Sequence, residues 1–104
     1  MSRGADVGVL LERALLQMAA AVKIDLTIAD ASWSRWASAT FTGARHDLSV
    51  TTGPSPTLDA WLGALPEAEF TVRGHLVADL AITSRARVGD TITLRIAVLT
   101  VEAD

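Results

Sequence analysis

Two residues at strand spacing offer the clearest opening for chemistry. His75 and Asp79 lie four apart with Val77 between them, in a segment that alternates apolar and polar residues. On a strand all three share one face, and Arg73 joins them. A carboxylate beside an imidazole can orient it for general-base work. The same pair offers two metal ligands, where stable sites take three or four. No nucleophile or third group stands in evident reach, so a solvated or interfacial polar ladder explains the same residues. The catalytic candidates are therefore His75 and Asp79, with no metal site and no cofactor expected. His46 and Asp47 are adjacent, and adjacent strand residues point to opposite faces, so they form no dyad.

Aromatic residues supply a second set of candidates. Trp33, Trp36 and Trp61 could line a pocket between helix and sheet, because ligand pockets are apolar with few polar groups. Trp61 sits on a helical stripe and reads as core. Trp36 shares a parity with Ser38 and Thr40 and reads as an interface anchor. Trp33, Trp36 and Arg73 are the expected ligand or interface residues.

Other chemistries lack residues to support them. There are 0 cysteines, so disulfides, thiolate catalysis and Cys-ligated zinc are excluded. No glycine-rich phosphate loop and no Gly-x-Ser-x-Gly elbow is present. Asp25, Asp30, Asp47 and Asp59 lack calcium-loop spacing. A net charge of −3 argues against nucleic acid or an anionic membrane as partner. Arg45, Arg85 and Arg87 could form a small cationic edge, but solubilising turn charges account for them. No apolar run is long enough to span a bilayer, and Asp6, Glu12 and Arg13 interrupt any leader-like segment. A cytoplasmic protein is expected.

The elements that must position these residues follow from periodicity. Val7, Leu11, Ala14, Leu15, Met18 and Val22 recur at three and four, which predicts a helix over 6–22 with Asp6 as its N-cap. Val9, Leu10 and Leu16 widen its apolar surface, so cover on more than one side is expected. Residues 1–5 should fray. Ile24, Leu26 and Ile28 alternate as a first strand, and Asp30-Ala31-Ser32 reads as a turn. Residues 33–42 read as a second strand, Gly43-Ala44-Arg45 as a tight connection, and residues 46–52 as a third strand with Leu48 and Val50 inward. After Gly53-Pro54, Ser55 and Pro56 open a second helix bearing Leu58, Trp61, Leu62 and Leu65, which Pro66 stops.

Phe70, Val72, Gly74, Leu76, Ala78, Leu80 and Ile82 alternate as a long fourth strand. A Gly89-Asp90 turn leads to a fifth, with Ile92, Leu94, Ile96 and Val98 on one face and Leu99 and Val101 on the other. The expected fold is one α+β domain over residues 1–104, with a largely antiparallel five-stranded sheet and two helices in the order α-β-β-β-α-β-β.

Half of the 104 residues (50%) are hydrophobic and 20% are charged, with a mean hydropathy of +0.35. That is apolar for a domain with so much surface per volume. Two helices cover at most one face of such a sheet. The other face should carry Trp36, Val77, Ala81 and Leu99, and an exposed apolar patch of that kind marks an interaction site. A self-associating interaction or binding module, most simply a homodimer, is the first functional expectation. It would join through the open face or a long edge strand.

The segment Arg87-Val88-Gly89-Asp90-Thr91-Ile92-Thr93-Leu94, following the strand 74–83, resembles the late hairpin of hotdog-fold thioesterases and dehydratases. The apolar first helix is similar to the central helix that their sheet wraps. The resemblance implies a hotdog-like acyl-thioester hydrolase, or an acyl or small-ligand binder, with its site at a dimer interface. No strand precedes the first helix and a second helix interrupts the strands, so no catalytic carboxylate carries over.

Overall fold

Apolar spacing closes the first helix onto the sheet. In the computed structural model, which describes residues 3–69 and 72–103, α1 spans Arg3–Ala21 and buries Val7, Leu11, Leu15 and Ala19. The helix is already formed ahead of Asp6, so Asp6 is not its N-cap. Its C-terminus closes in a Schellman arrangement. The Ile24 amide donates to the Ala19 carbonyl at 2.8 Å and the Lys23 amide to the Ala20 carbonyl at 3.0 Å. Lys23 takes the left-handed conformation, φ 60°, where glycine is the usual residue.

Strand β1 (Thr27–Ala37) runs straight through the expected Asp30–Ser32 turn. A bulge between Ile28 and Asp30 absorbs the irregularity, so the first two expected strands are one. The chain reverses instead at 38–41, where the Ser38 amide donates to the Phe41 carbonyl at 2.8 Å and the Phe41 amide to Ser38 Oγ at 3.1 Å. Strand β2 (Thr42–Thr52) therefore includes the expected Gly43–Arg45 connection. Gly43 serves cross-strand contact, not a turn. A Cβ there would overlap the Thr100 carbonyl and stand 2.9 Å from Trp36 Nε1.

Helix α2 (Leu58–Ala64) buries Leu58 and Leu62. It starts later than Ser55 and Pro56: Thr57 is the N-cap, its carbonyl accepting from the Trp61 amide at 3.0 Å, and Ser55 closes the preceding turn by accepting from the Leu58 amide at 3.2 Å. Pro66 does not stop the chain abruptly. It sits in a 3₁₀ turn, Leu65–Glu67, that continues the helix and buries Leu65.

Strands β3 (His75–Val88) and β4 (Thr91–Glu102) form the expected hairpin around Gly89-Asp90, with Gly89 at φ 60°. The start of β3 differs from expectation. Val72 bridges to His75 across a turn holding Arg73 and Gly74, the latter at φ 80°. Phe70 lies outside the described residues.

The sheet has four strands, not five, all antiparallel in the order β1-β2-β4-β3. The element order is α-β-β-α-β-β. Ala44, His46, Leu48, Val50 and Thr52 of β2 pair with Thr100, Val98, Ile96, Leu94 and Ile92 of β4, and all ten are buried. Buried residues of α1, α2 and the 3₁₀ turn join the same cluster, so both helices cover this one face. Each fully buried Leu or Ile contributes about 1.5–3 kcal/mol by leaving water. The opposite face carries no helix. On α1 Val9 remains exposed, as does Val22 just past its end, so the helix is covered on one side only.

Candidate functional site

The sheet register separates the residues expected to act together. His75 pairs with Glu102 and Val77 with Thr100, on the helix-covered face. A bulge then falls between Val77 and Asp79, and Asp79 pairs with Leu99 on the uncovered face. One inserted residue reverses the parity of everything beyond it. His75 and Asp79 therefore point to opposite sides of the sheet and form no dyad. Arg73 lies in the turn before β3 and shares no strand face with either. The same bulge places Val77 on the covered face, not the open one, while Ala81 stays on the open face opposite Ala97. The three arginines do not gather. Arg85 pairs with Asp59 of α2 at 2.6 Å, Arg87 Nε donates to the Gly89 carbonyl at 2.9 Å, and Arg45 lies on the open face opposite Leu99.

His46 is the polar residue that sequence spacing could have found. It shares parity with Leu48 and Val50, and it is only 4% exposed. Its Nε2 lies 3.0 Å from Thr100 Oγ1, itself fully buried, and that hydroxyl donates to the Ala44 carbonyl at 3.4 Å. With the hydroxyl turned to Ala44, Nε2–H donates to Thr100, and Nδ1 is left as an acceptor. Burial, and then the nearby His75, hold the His46 pKa below its ordinary value. Among the described residues His75 Nδ1 is buried without a hydrogen-bond partner. No group of three metal-ligating side chains occurs among the described residues.

Trp33 and Trp36 part company as well. Trp33 pairs with His46 on the covered side, and its Cδ1 would lie 3.7 Å from a Cβ on Gly8 of α1. There it forms a wall of a pocket of about 220 Å³ between α1 and β1, with Glu12 and His46 among the other lining residues. Trp36 lies on the uncovered face. Its indole covers the bare backbone of Gly43, and among the described residues its buried Nε1 has no hydrogen-bond partner. A cross-strand row of Trp36, Gly43, Val101 and Leu76 spans all four strands. Leu76 is 61% exposed. Beside this row lie Arg45, Leu99 and Asp79, then Asp47, Ala97 and Ala81, then Asp30, Arg95 and Ser84. Apolar side chains occupy one end of the face, and charges of both signs continue along it.

Comparison with protein-family models, with curated proteins and with solved structures finds no match to the chain. Among the described residues, no helix is long and apolar enough to cross a membrane.

Proposed function

We propose that the chain is a non-enzymatic interaction domain that pairs with a second copy of itself through the uncovered sheet face. The observation that carries this reading is the placement of both helices on one side of the sheet, which leaves Trp36, Leu76, Leu99 and Val101 facing outward. Dimensions support it. Strands of 11–14 residues, about 3.3 Å per residue and about 4.8 Å apart, make a face of roughly 600–800 Å². A standard interface takes about 800 Å² from each partner. Charge supports it too. Arg95 already pairs with Asp47 within the chain at 3.8 Å, and Arg45 stands on this face with Asp30 and Asp79, so a two-fold axis can bring these unlike charges together.

The edges are poorer candidates. Edge strand β1 has one bulge and edge strand β3 has two, at Val77/Asp79 and Ile82/Ser84, and such breaks discourage strand-to-strand addition. A cytoplasmic setting accords with the lack of cysteine. The hotdog-like acyl-thioester reading draws less support, because α1 lies on the sheet with Val9 exposed and is not wrapped by it.

Replacing Leu99 with Lys tests the surface. Leu99 is half-buried on inner strand β4 near the apolar end of the face, so the variant should keep its circular dichroism spectrum. Its dimer dissociation constant should rise at least about tenfold, the effect of losing roughly 1.4 kcal/mol at an interface anchor. An unchanged dissociation constant in a folded variant contradicts the assignment to this face.

A further inference from the structure

We propose that the pocket between α1 and β1 binds a small organic cation, an ammonium group held between the Glu12 carboxylate and the Trp33 indole. The pocket lies at the helix-covered edge of the sheet, apart from the face assigned to self-association. Its walls are Gly8, Val9 and Glu12 from α1, with Trp33 from β1 and His46 and Leu48 from β2. Among the described residues of this lining, Glu12 carries the formal charge. No ion pair joins it to another described residue. Half-buried beside an open cavity, its carboxylate sets a negative potential that no lining base offsets.

Trp33 supplies the complementary feature, since indole has the strongest attraction for a cation over its face. The ring lies against α1 at Gly8, where a Cβ would be in ordinary contact, 3.7 Å from Trp33 Cδ1 and 3.9 Å from Nε1. His46 closes the inner end. Thr100 occupies its Nε2 and leaves Nδ1 as a lone-pair acceptor for a ligand O–H or N–H donor. Burial keeps this imidazole uncharged near neutral pH, so it does not repel a cation.

Volume sets the size class. A cavity of about 220 Å³ divided by about 30 Å³ for a water-sized group gives roughly seven non-hydrogen atoms. That accommodates a headgroup such as a methylated or short-chain ammonium. An anion of the same size would meet Glu12 with no compensating base.

The test is a nuclear magnetic resonance titration of the full chain with choline, and in parallel with its neutral isostere 3,3-dimethylbutan-1-ol. Indole and amide resonances of Trp33, Val9 and Glu12 are followed at constant ionic strength. Choline should give saturable shifts at these residues, with the alcohol at least about fivefold weaker. Glu12→Gln should weaken choline at least about fivefold while leaving the thermal midpoint and the alcohol titration unchanged. Trp33→Leu, at a half-exposed edge position, should weaken choline by a similar factor. Equal binding of alcohol and cation overturns the proposal, as does full choline affinity in Glu12→Gln. Linear, unsaturated shifts across the whole range overturn it too.

Discussion

The two faces of this sheet are built from the same four strands, yet they are different materials. On the covered face, β2 and β4 present ten paired residues, all buried, and only His46, Thr52 and Thr100 among them are polar. On the uncovered face the same strands present Arg45, Asp47, Ser49, Arg95 and Thr93 beside Leu99, Val101 and the Trp36–Gly43 contact. The first face is set by exclusion of water and close packing. The second keeps enough charge to remain solvated and enough apolar surface to be worth covering. Strand alternation alone produces both, which is why one inserted residue at Val77/Asp79 moves side chains from one regime to the other.

The sharpest way to test that contrast is to truncate one residue on each side. Leu94 is fully buried, so Leu94→Ala should cost about 3–5 kcal/mol in urea denaturation. Val88, 81% exposed on the other face at the hairpin tip, should tolerate Val88→Ser within about 0.5 kcal/mol. Similar losses at both sites would break the comparison. Gly43→Ala marks the exception on the uncovered side. Its methyl group would press on the Thr100 carbonyl and the Trp36 ring, so a loss of about 1–3 kcal/mol is expected. A neutral result would show that β2 and β4 can separate there without cost.

The buried polar pair on the covered face should make stability depend on pH. His46 titrates at 6.5 when unperturbed and lower in the folded chain. The unfolded chain therefore binds more protons below pH 6.5. Its contribution is fully present above that value and is lost as the pH falls through the lower folded pKa. Denaturation midpoints at pH 8 and pH 5 should differ in the native sequence and differ less in His46→Gln, which retains a side chain able to bond Thr100. Equal pH dependence in both would remove His46 as the cause. The smallest effect is expected at the end of α1. Lys23→Gly should stabilise by about 0.5–1 kcal/mol, because φ 60° costs a residue with a Cβ more than it costs glycine.

Much of the fold was legible where one period ran without interruption. The α1 stripe up to Met18, the Leu58–Leu62–Leu65 stripe and the alternation from Ile92 to Val98 lie where their spacing put them, while Val22 falls past the helix and is exposed. The β3–β4 hairpin turns at Gly89-Asp90 for the same reason. What escaped was a matter of local insertions. Asp30, Ala31 and Ser32 have turn-like composition, but on an edge strand their side chains face solvent and the backbone can stay extended. Gly43 looked like a turn glycine because its actual role, receiving Trp36, depends on a residue across the hairpin. The His75–Asp79 pairing failed because a bulge leaves no mark in residue types. Trp36 was legible as a face residue, whereas the position of Trp33 beneath α1 follows only from the β1–β2 register. Glu12 was not legible as a pocket residue, since only the packing of α1 against β1 brings it to Trp33.

The central claim is that the uncovered face pairs with its own copy, and the solution mass tests it most directly. Native mass spectrometry of the purified chain at tens of micromolar should give twice the 11.0 kDa chain mass, with a monomer fraction that grows on dilution. A mass of 11.0 kDa that does not change up to the highest soluble concentration would contradict the account. The sheet would then keep Trp36, Leu76 and Leu99 facing water as a monomer.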